Sequence, residues 1–285
     1  MSRTDCNRTH FAGRRWLMIA VAAVGATGAR ALPAGELNVE IVGHRGASFD
    51  APENTLSALR LGWEQGADAV EFDVWLSKDG QIVLHHDKDA QRTAGVDRRI
   101  DEQTYAELKQ LDVGRWKDPK YAGEPIPLLS AALATIPAGK RVFIEVKCGP
   151  EIVPELGRVL AAAKRPVEAT AVISFSSAVC AACSEAFPDR KVYWIVALKQ
   201  DPQTGAWNHT AGELIADALK LGVDGLDLQA CALIDKAFGD AVLQQKLELL
   251  VWTVNDAALA RQMIAAGVQG ITTDRPGWLR EQLAP

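Results

Sequence analysis

The chain has 285 residues, 48% of them hydrophobic and 24% charged, and a formal charge of −5. Those values exclude whole-chain disorder, collagen and coiled coil. The mild acidity offers no electrostatic footprint for nucleic acid, and a folded chain this long buries roughly three quarters of its unfolded surface without needing a disulfide or metal staple.

The N-terminal segment reads as a leader. Arg14 and Arg15 precede an apolar run from Trp16 to Ala26, which has the length of a signal-peptide core and is too short to span a bilayer. Ala29-Arg30-Ala31 follows as a small-x-small cleavage pattern. Residues 1–31 are therefore expected to be a signal peptide, and the mature chain to be exported, periplasmic or secreted, with no stable membrane insertion after cleavage. Removing the segment's five arginines and single acid leaves 26 basic and 35 acidic residues, a formal charge of −9. It also leaves four cysteines, an even number that suits an oxidising compartment.

From residue 38 to 285 the pattern is that of one domain. Extended runs are predicted at 39–43, 69–76, 141–147, 171–175, 191–197, 225–229, 248–254 and 270–273, each followed by a helical stretch. In the second run Val70, Phe72 and Val74 alternate with Glu71, Asp73 and Trp75, a period of two. Eight strand–helix units in about 250 residues fit a TIM (β/α)8 barrel. An open doubly wound sheet is the alternative that periodicity alone leaves standing. Residues 88–126 interrupt the pattern and read as a small insertion over one rim, after the second strand unit.

Chemistry-bearing side chains collect where strands end, which is where barrel enzymes place their sites. The first strand runs into His44-Arg45, the second carries Glu71 and Asp73, and the extended run after it ends in His86. The third carries Glu145 and Lys147. Residues two apart on a strand share a face, so Glu71 pairs with Asp73 and Glu145 with Lys147. Three acids at one mouth either take up protons or bind a cation; oxygen-only ligands suit Ca²⁺ or Mg²⁺. Two imidazoles, an arginine and a lysine beside them describe a phosphoryl-transfer site. Phe175 and Trp252 either line a substrate pocket or close the barrel. Glu53-Asn54-Thr55 opens a helix and reads as capping. His85, on the opposite strand face from His86, reads as structural. Cys180 and Cys183 share a predicted helix and read as a local disulfide or two inert thiols.

These motifs, taken in order, resemble one family. His44-Arg45-Gly46, Pro52-Glu53-Asn54-Thr55, Glu71-Phe72-Asp73, His86-Asp87, Arg92-Thr93, Glu145-Val146-Lys147, Trp252-Thr253-Val254-Asn255 and Thr272-Thr273-Asp274-Arg275-Pro276 look like the glycerophosphodiester phosphodiesterases. The resemblance runs from about residue 40 to 283. It implies a closed barrel with 88–126 as its insertion. It further implies His44 and His86 as the catalytic pair, Glu71, Asp73 and Glu145 as ligands of one divalent cation, Arg45 and Lys147 as phosphate contacts, and a place near the site for Glu53. The implied reaction splits a small-molecule glycerophosphodiester into glycerol 3-phosphate and an alcohol such as choline or ethanolamine. In this reading His44 deprotonates the attacking hydroxyl and His86 protonates the leaving alkoxide. Two other readings use the same barrel: a lysophospholipase D or sphingomyelinase-D-like enzyme, and a non-catalytic binding protein. The loop 200–210 contains Trp207 but is mostly polar, which favours a water-soluble substrate.

Overall fold

A computed structural model describes residues 39–284. The expected signal segment, 1–31, lies outside the described residues.

The chain begins with β1 (Glu40–Gly43), α1 (Leu56–Glu64) and β2 (Ala69–Leu76). Short elements follow: β3 (Ile82–Leu84), β4 (Asp89–Ala90), α2 (Gln91–Ala94), β5 (Val96–Arg99), α3 (Tyr105–Leu108) and α4 (Leu129–Ala134). Regular alternation then takes over with β6 (Arg141–Val146), α5 (Val153–Ala163), β7 (Thr170–Ser174), α6 (Ser177–Ala186), β8 (Val192–Val196) and α7 (Ala211–Leu221). It ends with β9 (Gly225–Gln229), α8 (Lys236–Gln244), β10 (Glu248–Trp252), α9 (Ala257–Ala265), β11 (Gly270–Thr273) and α10 (Pro276–Leu283). All eight predicted strands form, with ends within two residues of the expected ones.

Eight strands pair in parallel in the order β1, β11, β10, β9, β8, β7, β6, β2, and β1 pairs back with β2. That last pairing, Val42 with Ala69 and Gly43 with Val70, closes the barrel and removes the open-sheet alternative. Alternation along the strands sorts side chains into two cores. Val42, Ala69, Phe143, Ala171, Ile173, Tyr193, Ile195 and Leu250 fill the interior. Ile41, Val70, Phe72, Ile144, Val172, Leu226, Val251 and Ile271 face outward into the helix layer.

The insertion has its own small core. β3 pairs antiparallel with β2, β4 pairs with β5, and Val83, Ala90, Ile100, Leu108, Val113 and Ile126 pack together. The β4–β5 hairpin and α2 escape a periodicity reading because two to four residues carry no period.

Cys148, Cys180, Cys183 and Cys231 are all free thiols. Burial pushes Cys180 and Cys183 up to about 12, which fits the reading of two inert thiols. No helix among the described residues is long and apolar enough to cross a membrane.

Candidate active site

The turn after β1 places the first site residues in a constrained backbone. Arg45 and Gly46 both have positive φ, at 52° and 85°. A Cβ on Gly46 would lie 2.4 Å from the Ala58 carbonyl carbon, so only glycine fits where this turn crosses α1. Asn54 also has positive φ, at 58°. Left-handed non-glycine residues are uncommon, and here two of them belong to one site. Thr55 caps α1, its Oγ1 accepting from Ala58 N. The capping reading is right for Thr55 alone. Asn54 instead donates Nδ2–H to Asp73 Oδ2 at 2.8 Å and accepts from the Asp73 amide at 3.0 Å.

The three acids converge as expected. Asp73 on β2 is in register with Glu145 on β6, and Glu71 lies one pleat below. Glu71, Asp73 and Glu145 each present a carboxylate oxygen within 4.8 Å of the others, and all three are buried. Burial first, then repulsion from Asp73 and Glu145, pushes Glu71 well above the carboxylate range. Burial and Asp73 push Glu145 up to about 8, although Lys147 opposes them. Burial would raise Asp73 too, but Arg45, Lys147, His86 and Asn54 outweigh it and hold that carboxylate low. Lys147 Nζ stands 2.7 Å from Glu145 Oε1 and 3.5 Å from Asp73 Oδ1, and Arg45 Nε 3.2 Å from Asp73 Oδ2.

Two cations face three acids, and Glu71 Oε1 and Asp73 Oδ1 are sealed from solvent with no hydrogen-bond partner. Uncompensated buried oxygens on hard donors fit a divalent cation such as Ca²⁺ or Mg²⁺. The pH dependence has a definite sign. Glu71 and Glu145 hold protons more tightly folded than unfolded. The metal-free fold therefore gains stability from them at low pH and loses it as pH rises toward 8. A cation competes with those protons. Adding Ca²⁺ or Mg²⁺ is expected to raise Tm more at pH 8 than at pH 5.5, by differential scanning fluorimetry. Equal shifts at both pH values would contradict the cluster's assignment.

Each histidine has one ring nitrogen held. His44 Nδ1 lies 2.6 Å from Asp274 Oδ1. Burial opposes ionisation of Asp274, but hydrogen bonds from His44, Asn255 and Ser48 outweigh it and hold the carboxylate at about 2. His86 Nδ1 lies 2.7 Å from Asp87 Oδ1. Asp87 is likewise held at about 2, by Arg92 and His86 against burial. An ionised aspartate on Nδ1 places the hydrogen there and leaves Nε2 for the cavity. Asp274→Asn is expected to cut kcat by about 10²–10⁴-fold through the wrong His44 tautomer, with little change in KM. A loss confined to KM would contradict that role.

The Asp87 contact continues into a chain of ion pairs. Arg92 Nε reaches Asp87 Oδ2 at 2.7 Å, and its two Nη atoms hold Glu53 at 2.7 and 2.8 Å. Glu53 Oε1 accepts from Arg45 Nη1 at 2.9 Å. Glu53, expected to help cap a helix, instead ties Arg45 to Arg92, which in turn holds the aspartate beside His86. Its partner Arg92 comes from the insertion.

A cavity of about 120 Å³ gathers these groups. His44, Arg45, Glu71, His86, Glu145 and Lys147 form one wall, and Ile173, Phe175, Ile195, Asp227 and Trp252 stand on the other. Phe175 and Trp252 pack edge to face at 5.4 Å between centroids, and both line the pocket. His85 is buried with Nε2 on the Asp89 carbonyl at 3.0 Å, a structural contact as expected.

Nine expected site residues thus come together. Asp87, Asp274, Glu53, Asn54 and Arg92 were not among them. For Asp87 and Arg92 the available signal was adjacency to His86 and a shared motif; for Asp274, its position at the last strand's end.

Aspartate-backed imidazoles facing a buried acid cluster across a small cavity define a phosphoric diester hydrolase built on a TIM barrel. Residues 44–278 match the glycerophosphoryl diester phosphodiesterase family, and the chain belongs to that family. A glycerophosphodiester phosphodiesterase of Caldanaerobacter subterraneus subsp. tengcongensis is 30% identical over 254 residues, 83% of this chain and 94% of its own length. An Oleispira antarctica phosphodiesterase, solved with the product sn-glycerol-3-phosphate, superposes with TM-score 0.76 at 28% identity, covering 86% of this chain and 96% of its own. The Agrobacterium tumefaciens glycerophosphodiester phosphodiesterase superposes with TM-score 0.70 at 27% identity, covering 85% and 99%.

Proposed function

We propose that this enzyme hydrolyses small glycerophosphodiesters, such as glycerophosphocholine and glycerophosphoethanolamine, to glycerol 3-phosphate and an alcohol. The observation that carries the reading is the convergence of His44 and His86, each braced at Nδ1 by an aspartate, on the cavity lined by Glu71 and Glu145 of the acid cluster. The Oleispira relative's bound product supports the substrate class.

Arg45 and Lys147 hold the phosphodiester's unbridged oxygens and set phosphorus between the two imidazoles. His44 Nε2 takes the proton of the attacking hydroxyl as its oxygen bonds to phosphorus. The bond from phosphorus to the leaving oxygen breaks, and His86 Nε2 gives that oxygen a proton. The attacker is either water or a glycerol hydroxyl of the substrate, the second forming a cyclic phosphate that water then opens. Glu71, Asp73 and Glu145 would hold the divalent cation, which when bound supplies positive charge to the phosphoryl oxygens.

Burial, Arg45 and Lys147 hold His86 below the ordinary imidazole value, against Asp73 and Asp87. His86 therefore takes up its catalytic proton from solvent when the substrate's negative charge stands beside the ring and favours the imidazolium. We place the enzyme outside the cytoplasm on the leader segment's charge and apolar run.

A lysophospholipid is the second reading. The cavity is well under the roughly 300–1,000 Å³ of drug-sized ligand sites and leaves an acyl chain no enclosed place. A kcat/KM panel over glycerophosphocholine, glycerophosphoethanolamine and lysophosphatidylcholine tests the choice. The two small diesters are expected to lead; a lead for the acylated substrate would overturn the assignment. A non-catalytic binding role leaves both aspartate-braced imidazoles without a use.

A further inference from the structure

Asp227 is the one buried acid in the cavity wall that the mechanism leaves idle. It sits on β9, where Leu226 and Leu228 point outward to the helices and Asp227 points inward. Its strand neighbours are Ile195 on β8 and Leu250 on β10. The residue is 4% exposed, and Oδ1 is sealed with no hydrogen-bond partner. Among the described residues no side chain or backbone amide donates to its carboxyl. An orphaned buried polar group costs about 1–3 kcal/mol, and the in-register interior positions on either side are filled by Ile195 on β8 and Leu250 on β10. Stability alone favours an aliphatic residue here.

The cavity has two poles. Arg45 and Lys147 line it from the ends of β1 and β6, which flank β2, and Asp227 lines it from β9, which stands across the barrel from β2 in the closed strand order. A phosphate held at the first pole leaves the attached carbon skeleton against the second. Burial alone pushes Asp227 up to about 7, so near neutrality the group can both donate and accept a hydrogen bond. Its complement is a hydroxyl. A choline head group has no N–H to offer Oδ1, and an ethanolamine ammonium donates but cannot accept. We infer that Asp227 is a polyol-recognition residue, its carboxyl holding a hydroxyl of the glycerol moiety while the phosphate lies against Arg45 and Lys147. This rests on the glycerophosphodiester reading above and assigns that substrate's invariant end to the β9 side of the cavity.

The test compares two ligands with the same phosphate, glycerol 3-phosphate and n-propyl phosphate, by titration calorimetry on the cation-loaded protein. The wild type is expected to prefer glycerol 3-phosphate by about tenfold or more, the worth of one good hydrogen bond to a buried partner. Asp227→Leu is expected to bring the preference to within about twofold, and Asp227→Asn, which keeps a donor and an acceptor, to retain part of it. Thermal melts check the fold, and Asp227→Asn carries the comparison if the leucine variant does not fold. A wild-type preference surviving in Asp227→Leu, or an equal loss for both ligands, would overturn the assignment. Wild-type hydrolysis of glycerophosphocholine separates the two claims. If it occurs and the preference is unmoved, only the role of Asp227 fails; if it does not occur, the substrate reading fails.

Discussion

His86→Ala is expected to lower kcat on glycerophosphocholine by about 10²–10⁴-fold, the usual worth of a positioned acid or base. The same variant is expected to lose far less on a 4-nitrophenyl phosphodiester. The difference lies in the leaving group. A choline alkoxide is strongly basic and departs only as it is protonated, whereas a nitrophenolate departs unaided. His86 is braced by Asp87 at 2.7 Å and lines the cavity, which fits the proposed role of Nε2 as the acid. A stopped assay with both substrates reads the split. Equal losses on the two would move His86 to the base role or to phosphate binding, and near-normal kcat on the choline ester would remove it from the reaction.

Glu145→Gln is expected to do two opposite things. Activity should fall by about 10²–10⁴-fold, because a cation loses a charged ligand and several kcal/mol of charge stabilisation goes with it. Metal-free stability should rise at pH 8. Glu145 is pushed up to about 8 by burial and by Asp73, so ionising it there works against the fold, and a neutral amide removes that opposition. Lys147 loses its 2.7 Å partner but keeps Asp73 at 3.5 Å. A gain in Tm with a loss in turnover is the mark of a carboxylate kept for a ligand rather than for the fold. Thermal melts without metal and a turnover assay with it decide the matter. Falling Tm together with falling activity would make Glu145 a structural residue.

The strands were legible because alternation is local. Val70, Phe72 and Val74 against Glu71 and Asp73 state a strand and a shared carboxylate face in one stretch of sequence. Closure was not legible from periodicity, since it rests on Val42 meeting Ala69 across the seam. The strand-borne site residues followed from the same period of two. The loop-borne ones did not. Asn54 reaches Asp73 only through a positive φ, and Arg92 reaches Glu53 only because a two-residue hairpin strand turns the insertion back over the rim. Neither conformation has a periodic signature. Asp274 stood in a quoted motif, but its task depends on a contact 230 residues away in sequence, with His44. Asp227 lies in the middle of an expected strand, and only its burial without a partner sets it apart.

The central claim is that one buried acid cluster and two aspartate-braced histidines cleave a glycerophosphodiester. Enzymatic detection of glycerol 3-phosphate released from glycerophosphocholine tests it most directly, with the protein loaded with Ca²⁺ or Mg²⁺ and a parallel sample in EDTA. Release with the cation and its loss in EDTA is the expected result; no release from any small glycerophosphodiester, or release untouched by EDTA, would contradict the account.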